Sequence, residues 1–362
     1  MARPAKASLD LVALRHNVSH ARSLAPDSKL MAVVKANAYG HGAVIIAEAL
    51  EPIVDALAVA CIEEALELRS AGITAPILLL QGVFEPTELA TVSEQQFWLM
   101  IENEWQLSIL EQSKLSSKIH CWLKVDTGMH RLGIDPALVE PFQTRLEHCE
   151  NCHKDIVLCT HFASADNLHS EQTKQQLADF RQACSTSPGK LSTANSPAVL
   201  GWPDSHLDWI RPGYMLYGNS PFGQQPHPNT DSLRPVMTLS SQVVSIRNVA
   251  PGETVGYAAS WVAERPSVIA TVTIGYGDGY PRNAKSGTPV LVNGVRAPLA
   301  GRVSMDMITV DITDLEDVAI GDKVVLWGLD LPVSEVAEWA DTIGYELTTR
   351  MPKRTPRIVH KE

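Results

Sequence analysis

The chain has 362 residues, of which 45% are apolar and 20% charged, and a formal net charge of −11. That length fits two domains with sizeable cores rather than one. The acidic balance argues against nucleic acid or an anionic membrane as partner, and no apolar run approaches the roughly 20 residues of a membrane helix.

From the N-terminus, no apolar leader is visible, so the chain is expected to act in the cytoplasm. Short apolar runs then follow at residues 30–34, 56–60, 77–80, 97–101, 119–125, 156–160, 191–194 and 209–210. Between them, residues 43–50, 62–68 and 170–184 carry apolar side chains at helical spacing. Strands alternating with helices imply parallel pairing through right-handed crossovers. Eight such units predict a (β/α)8 barrel over residues 1–233. All six cysteines (Cys61, Cys121, Cys149, Cys152, Cys159 and Cys184) fall in the N-terminal half. Cys149 and Cys152 have CxxC spacing with His148 and His153 beside them. A structural zinc site usually needs a second ligand pair; none is evident, so no metal is expected there.

The pattern changes after Tyr217. Residues 219–231 (NSPFGQQPHPNTD) read as a linker or long loop. Short strands are predicted beyond it, at 238–249, 267–274, 289–291, 308–312 and 323–327. Turn signals separate them at Pro251-Gly252, Asn293-Gly294 and Gly321-Asp322. One helix is predicted, at 333–341, with Ser334 as its N-cap. Residues 234–362 thus form a β-rich second domain, and the fold class is α/β.

In such a barrel the reacting groups sit at the carboxyl ends of the strands. Lys35 follows the first predicted strand. Lys124 and Asp126 end the fifth, with Arg131 just beyond. His161 ends the sixth, Asn195 and Ser196 the seventh, and Arg211, Gly213 and Tyr214 follow the eighth. A lysine at an apolar strand end suits Schiff-base chemistry, because partial desolvation lets its amine titrate near neutrality. Taken singly it also fits a snorkelling surface lysine. Ser196 with the Gly213 and Tyr214 amides has the make-up of a phosphate cradle, which barrels often place after strands seven and eight. Taken singly these are a loop serine and turn residues.

Residues 33–42 (VVKANAYGHG) closely resemble the cofactor-lysine signature of alanine racemases, which use pyridoxal 5′-phosphate (PLP). The resemblance spans essentially the whole chain, through 124–133 (KVDTGMHRLG), 160–163 (THFA), 211–218 (RPGYMLYG), 255–261 (VGYAASW), 275–282 (GYGDGYPR) and 301–306 (GRVSMD). It implies a barrel joined to a β-domain, in a homodimer with shared active sites. Lys35 and Tyr257 are implied as the two catalytic bases, Tyr257 reaching in from the partner. Racemisation needs proton transfer on both faces of a planar carbon, which two opposed groups supply. Implied cofactor contacts are Lys35, Tyr39, His161, Ser196, Arg211, Gly213, Tyr214 and Tyr345. Arg211 would face the pyridine nitrogen and His161 would hold Tyr257. Arg131 and the Met305 amide are the implied substrate contacts. Lys124 matches a lysine that is carbamylated in many members. Asp166, Tyr276, Arg282 and Arg302 resemble residues of the substrate corridor at the dimer interface. The chain departs from the family at Tyr214, where a small aliphatic residue is common, at Ser304, often a cysteine, and at Ser164, often alanine.

The expected activity is interconversion of L- and D-alanine, serving peptidoglycan supply or alanine catabolism. A racemase of serine, lysine or a broader set is the alternative. A decarboxylase of the same fold would call for an acid where Arg211 stands. A non-catalytic PLP carrier would lack residues 234–362.

Overall fold

The computed structural model describes residues 3–223 and 225–359. Strand β1 (Lys6–Leu9) opens it and leads into helix Leu11–Leu24. The Asp10 carboxylate accepts from the Ala13 amide at 2.8 Å and so caps that helix.

Eight parallel strands then close a barrel. They are β2 (Lys29–Val33), β3 (Ala56–Val59), β4 (Ile77–Leu79), β5 (Trp98–Ile101), β6 (Cys121–Lys124), β7 (Val157–Cys159), β8 (Lys190–Ser192) and β9 (Trp209–Ile210). Strand β9 meets β2 through the pairs Lys29–Trp209 and Leu30–Ile210. Side chains alternate across each strand. Met31, Val33, Ala58, Leu78, Met100 and Trp122 fill the barrel. Leu30, Ala32, Val34, Leu57 and Leu79 face the surrounding helices. Both faces are therefore apolar, which is why these strands read as continuous apolar runs. Each fully buried large aliphatic side chain contributes about 1.5–3 kcal/mol. The predicted helices at 43–50 and 62–68 are present as Ala43–Leu50 and Ile62–Ser70. The third is Glu171–Ala183, capped by the Ser170 hydroxyl, with Leu177 and Phe180 buried.

The C-terminal sheet is built on the long strand β10 (Met237–Val249), which pairs antiparallel with Ser267–Val272 and Lys323–Trp327. The turn at Asn293 and Gly294 has φ of 51° and 85°, the backbone a two-residue hairpin needs. Three sequence readings are corrected. Strand β1 lies not in the barrel but in this second sheet, antiparallel to β10 and parallel to Arg357–Val359; four residues are too few to announce a partner. Ser334 lies inside helix Val333–Trp339, and Pro332 occupies the N-cap. A second helix, Gly344–Thr349, was not predicted, being only six residues long. The described residues of the 219–231 segment pack on the barrel: Phe222 is buried, and the His20 ring lies 2.7 Å from the Asn229 carbonyl. Among the described residues no helix is long and apolar enough to cross a membrane.

Candidate active site

At the carboxyl end of β2 the chain does something costly. Ala36, Asn37, Ala38 and Tyr39 all have φ between 51° and 55°, a left-handed turn immediately after Lys35. Non-glycine residues resist this conformation by about 1–2 kcal/mol each. Several contacts hold it. One Glu64 oxygen accepts from the Ala36 amide and the other from the Ala60 amide, both at 2.7 Å. The Asn37 side-chain oxygen Oδ1 accepts from the Ala43 amide at 2.7 Å. Arg357, from the second sheet, donates twice to the Gly40 carbonyl, at 3.0 and 2.7 Å. Beneath the turn, His41 is fully buried and stacks on Tyr217 at 4.5 Å, while the Tyr217 hydroxyl donates to the Val33 carbonyl at 3.0 Å. Strain of this kind persists only where the surroundings over-determine it, and it fixes where Lys35 points.

Lys35 lines a cavity of about 620 Å³ at the barrel mouth, together with Tyr39, Lys124, Arg131, His161, Ser196, Arg211, Gly213, Tyr214 and Tyr345. Every strand-end residue singled out in the sequence reaches this cavity except Asp126, whose carboxylate instead accepts from the Gly128 and His130 amides at 3.0 Å. Four of the lining groups are Lys35, Lys124, Arg131 and Arg211. The mouth is thus locally cationic on an acidic chain, which favours small anionic ligands.

Burial and the neighbouring Arg131 lower the Lys35 amine's pKa, with Glu64 opposing. Burial and four surrounding cations hold the His161 imidazole well below its usual value, so it is neutral at physiological pH. Arg211 is 6% exposed and donates to neutral oxygens only, among them the Thr160 carbonyl at 2.6 Å and the Ser192 hydroxyl. No carboxylate pairs with it among the described residues. Lys124 does have an acidic partner, but it is the buried Glu102 at 3.2 Å, not Asp126. Burial raises the Glu102 pKa and Lys124 pulls it back.

The phosphate-cradle reading gains geometry. The Ser196 hydroxyl accepts from the Gly213 amide at 2.9 Å and the Met215 amide at 3.3 Å, leaving its own proton to donate. A Cβ on Gly213 would sit 2.5 Å from the Tyr39 hydroxyl, so a larger residue there would push the Tyr39 ring aside. Tyr214 stacks on Tyr345 with ring centroids 3.6 Å apart, and Tyr39 lies 6.3 Å from Tyr345. Burial pushes the Tyr39 phenol up to about 12 and raises Tyr214 and Tyr345 too, so all three stay protonated donors. The bulky Tyr214 therefore forms one wall of the pocket and carries Tyr345, from the unpredicted helix, against the barrel.

A second group of sequence candidates is not in this cavity. Tyr257 is 68% exposed, on a turn between Thr254–Val255 and Trp261–Val262. Met305 and Tyr276 are exposed, as are Arg282 and Arg302. Tyr276 and Met305 are neighbours: the Tyr276 amide donates to the Ser304 carbonyl and the Gly277 amide to the Met305 carbonyl. The buried Asp278 accepts from Gly275 and Arg354 and pins this loop. Asp166 is exposed, but close enough to Tyr345 for its charge to raise that phenol's pKa. Ser164 bonds Gln172 at 2.8 Å.

Glu64, Glu102, His41, Tyr217 and Arg357 were not singled out from the sequence. His41 and Tyr217 lie within matched motifs, but nothing local marks Glu64, Glu102 or Arg357. Their roles exist only across contacts distant in sequence.

Comparison with known proteins adds to this geometry. Family models described as alanine racemase, N-terminal domain, and alanine racemase, C-terminal domain, match residues 9–221 and 236–359. An alanine racemase of Pseudomonas syringae pv. syringae is 50% identical over 99% of this chain and 100% of its own. A catabolic alanine racemase of Pseudomonas putida is 49% identical over 98% of each chain. The structure of biosynthetic alanine racemase from Pseudomonas aeruginosa superposes with a TM-score of 0.95 at 46% identity, over 99% of this chain and 100% of that one. Alanine racemase from Bartonella henselae, solved with covalently bound pyridoxal phosphate, gives 0.89 at 33% identity over 99% of each.

Proposed function

From the alanine racemase family, to which this chain belongs, we propose that the isomerase works with PLP held in the barrel mouth and with two bases on opposite faces of alanine. The single observation that carries the reading is the meeting of Lys35 with the Ser196, Gly213, Tyr39 and Tyr345 cradle in one cavity.

The residues suit the cofactor. Ser196 has a free hydroxyl proton and, with the Tyr214 amide and the protonated phenols of Tyr39 and Tyr345, makes an oxygen-binding set for phosphate; the Gly213 amide, which donates to Ser196, would be shared with it. Lys35 would be the covalent anchor. Arg211, which keeps its proton and has N–H groups left beyond its bonds to Thr160, Ser192 and Thr193, would donate towards the ring nitrogen. Bound there, PLP supplies an electron sink that makes the amino acid's Cα–H acidic.

The chain's own groups do the rest. Arg131 has no hydrogen-bond partner among the described residues and can grip a carboxylate. The Lys35 amine, with its lowered proton affinity, would hold or pass a proton at one face of the substrate Cα. On the other face we assign the Tyr257 phenol of the partner subunit, with the Met305 amide of that subunit as second carboxylate contact. Neutral His161 can accept a hydrogen bond from that phenol. Asp166, Tyr276, Arg282 and Arg302 would line the way in. This arrangement needs a homodimer with shared sites; the exposure of Tyr257, Tyr276 and Met305 supports it. For Lys124 we propose two states. As an ammonium it pairs with Glu102; as a carbamate it would set two anions together unless Glu102 takes a proton, which burial favours. We propose residues 1–233 and 234–362 as the working units, apart from β1, and the cytoplasm as the place of action. We propose D-alanine supply for peptidoglycan or alanine catabolism as its role, in line with similar enzymes named biosynthetic and catabolic.

A racemisation assay over a panel of amino acids, with and without added PLP, tests the reading. Alanine should be turned over fastest and PLP should restore stripped enzyme; preferred turnover of serine or lysine would replace the substrate assignment. Borohydride reduction should fix a pyridoxyl mass on the peptide carrying Lys35 and leave the Lys35→Ala variant unlabelled.

A further inference from the structure

The sequence sets His148 and His153 beside the Cys149–Cys152 pair. The fold parts them. The His148 ring turns back to the Thr144 carbonyl at 2.7 Å. Cys152 is buried against Cys121, their sulfurs 3.6 Å apart. His153 goes the other way and stacks on His120, with ring centroids 3.9 Å apart and planes within 10°.

The two segments that bring the histidines together are rigidly joined. The Ile119 amide donates to the Asn151 carbonyl at 2.8 Å, and the His153 amide donates to the Ile119 carbonyl at 3.0 Å. Asp155 follows two residues after His153, and its carboxylate lies 3.4 Å from His120 Nδ1. One donor atom from each of His120, His153 and Asp155 lies within 4.8 Å of the other two. Zinc takes imidazole and carboxylate ligands at about 2.0–2.2 Å, so a tetrahedral site has ligand–ligand edges of about 3.4 Å. The His120–Asp155 separation already has that length. The histidines are half-buried and Asp155 is exposed, which leaves room for one ring to tilt out of the stack and for a water as fourth ligand.

We propose that His120, His153 and Asp155 bind a divalent transition-metal ion, zinc, at the amino-terminal rim of the barrel. These residues lead into β6 and β7, at the opposite end of the barrel from Lys35. In barrels of this kind that face serves stability and the carboxyl-terminal face chemistry. The ion would tie the two lead-in segments together without touching the reaction.

The test is zinc titration of chelator-treated, PLP-loaded enzyme by calorimetry, with thermal unfolding read in parallel. One equivalent per chain should bind, and the unfolding midpoint should rise with zinc concentration, as it must for a ligand specific to the folded state. His153→Gln and Asp155→Asn should each weaken binding at least tenfold, and Cys149→Ser should not. Racemase activity should be unchanged in all three. Absence of saturable binding would overturn the proposal, as would undiminished binding in His120→Gln and His153→Gln variants that fold normally. The cluster would then be a stacked imidazole pair with an ion-paired carboxylate.

Discussion

A lysine amine buried beside other cations gives up its proton more readily than a free one. Lys35 is in that position, and Tyr257 is not, being open to solvent within its own chain. The two-base assignment predicts an asymmetric defect. Because the equilibrium between enantiomers is fixed, Tyr257→Phe must slow racemisation equally in both directions, by about 10²–10⁴-fold. Exchange of the α-proton with deuterated solvent is free of that constraint. It should persist for the enantiomer whose proton faces Lys35 and fall for the other; equal exchange of both would remove Tyr257 from the chemistry. A second residue-scale prediction concerns His41. Burial depresses its pKa to about 4 in the fold, against about 6.5 unfolded. The unfolded chain therefore binds the additional proton between those values. Stability from this residue is full above about 6.5 and is lost as pH falls towards 4, a total of about 3 kcal/mol. His161 is displaced in the same direction. The urea midpoint should drop between pH 7 and pH 5, and His41→Phe should drop less.

Among the elements, the left-handed turn after β2 is the most demanding. Its conformation is imposed from outside, by Glu64 on one side and Arg357 on the other. Glu64→Gln would face one backbone amide with an NH₂ group instead of an oxygen, leaving a donor unsatisfied. The expected cost is about 1–3 kcal/mol in chemical denaturation, with weaker PLP binding by the stripped enzyme. If stability falls while PLP affinity is unchanged, the turn does not position Lys35. Tyr217→Phe, which removes only the hydroxyl bonded to Val33, should cost about 1 kcal/mol and serves as the milder comparison.

For the whole molecule, the proposed shared site makes a prediction about mixtures. Lys35→Ala and Tyr257→Phe chains would each be crippled alone. A mixed dimer would contain one site with both defects and one with neither. Random reassociation of equal amounts should therefore restore about 25% of wild-type activity, since half the dimers are mixed and each has one of two sites intact. Recovery no greater than the sum of the parents would mean that Lys35 and Tyr257 do not meet across a subunit boundary. Neither variant touches the fold's main cores, so both should remain soluble and dimeric by sedimentation.

The sequence by itself determined the eight barrel strands, because most are short, apolar on both faces and separated by helical segments; β8 (Lys190–Ser192) is the exception, with an exposed lysine and a buried serine. It also determined which chemical groups stand at the strand ends, since the carboxyl end of a parallel strand is fixed by chain direction alone. Strand-end position marked Ser196, and the motif at 211–218 marked Arg211 and Gly213, as companions of Lys35 in one cavity. The tertiary structure decided what no local pattern encodes. Strand β1 joined the far sheet, because its partners come more than 200 residues later. Glu64, Glu102 and Arg357 acquired their roles only when distant segments met. Tyr345 reached the mouth on a helix too short to carry a periodic signal, held there by the face of Tyr214. Strand identity follows from side-chain alternation, which is local; partner choice and charge environment are properties of packing, which is not.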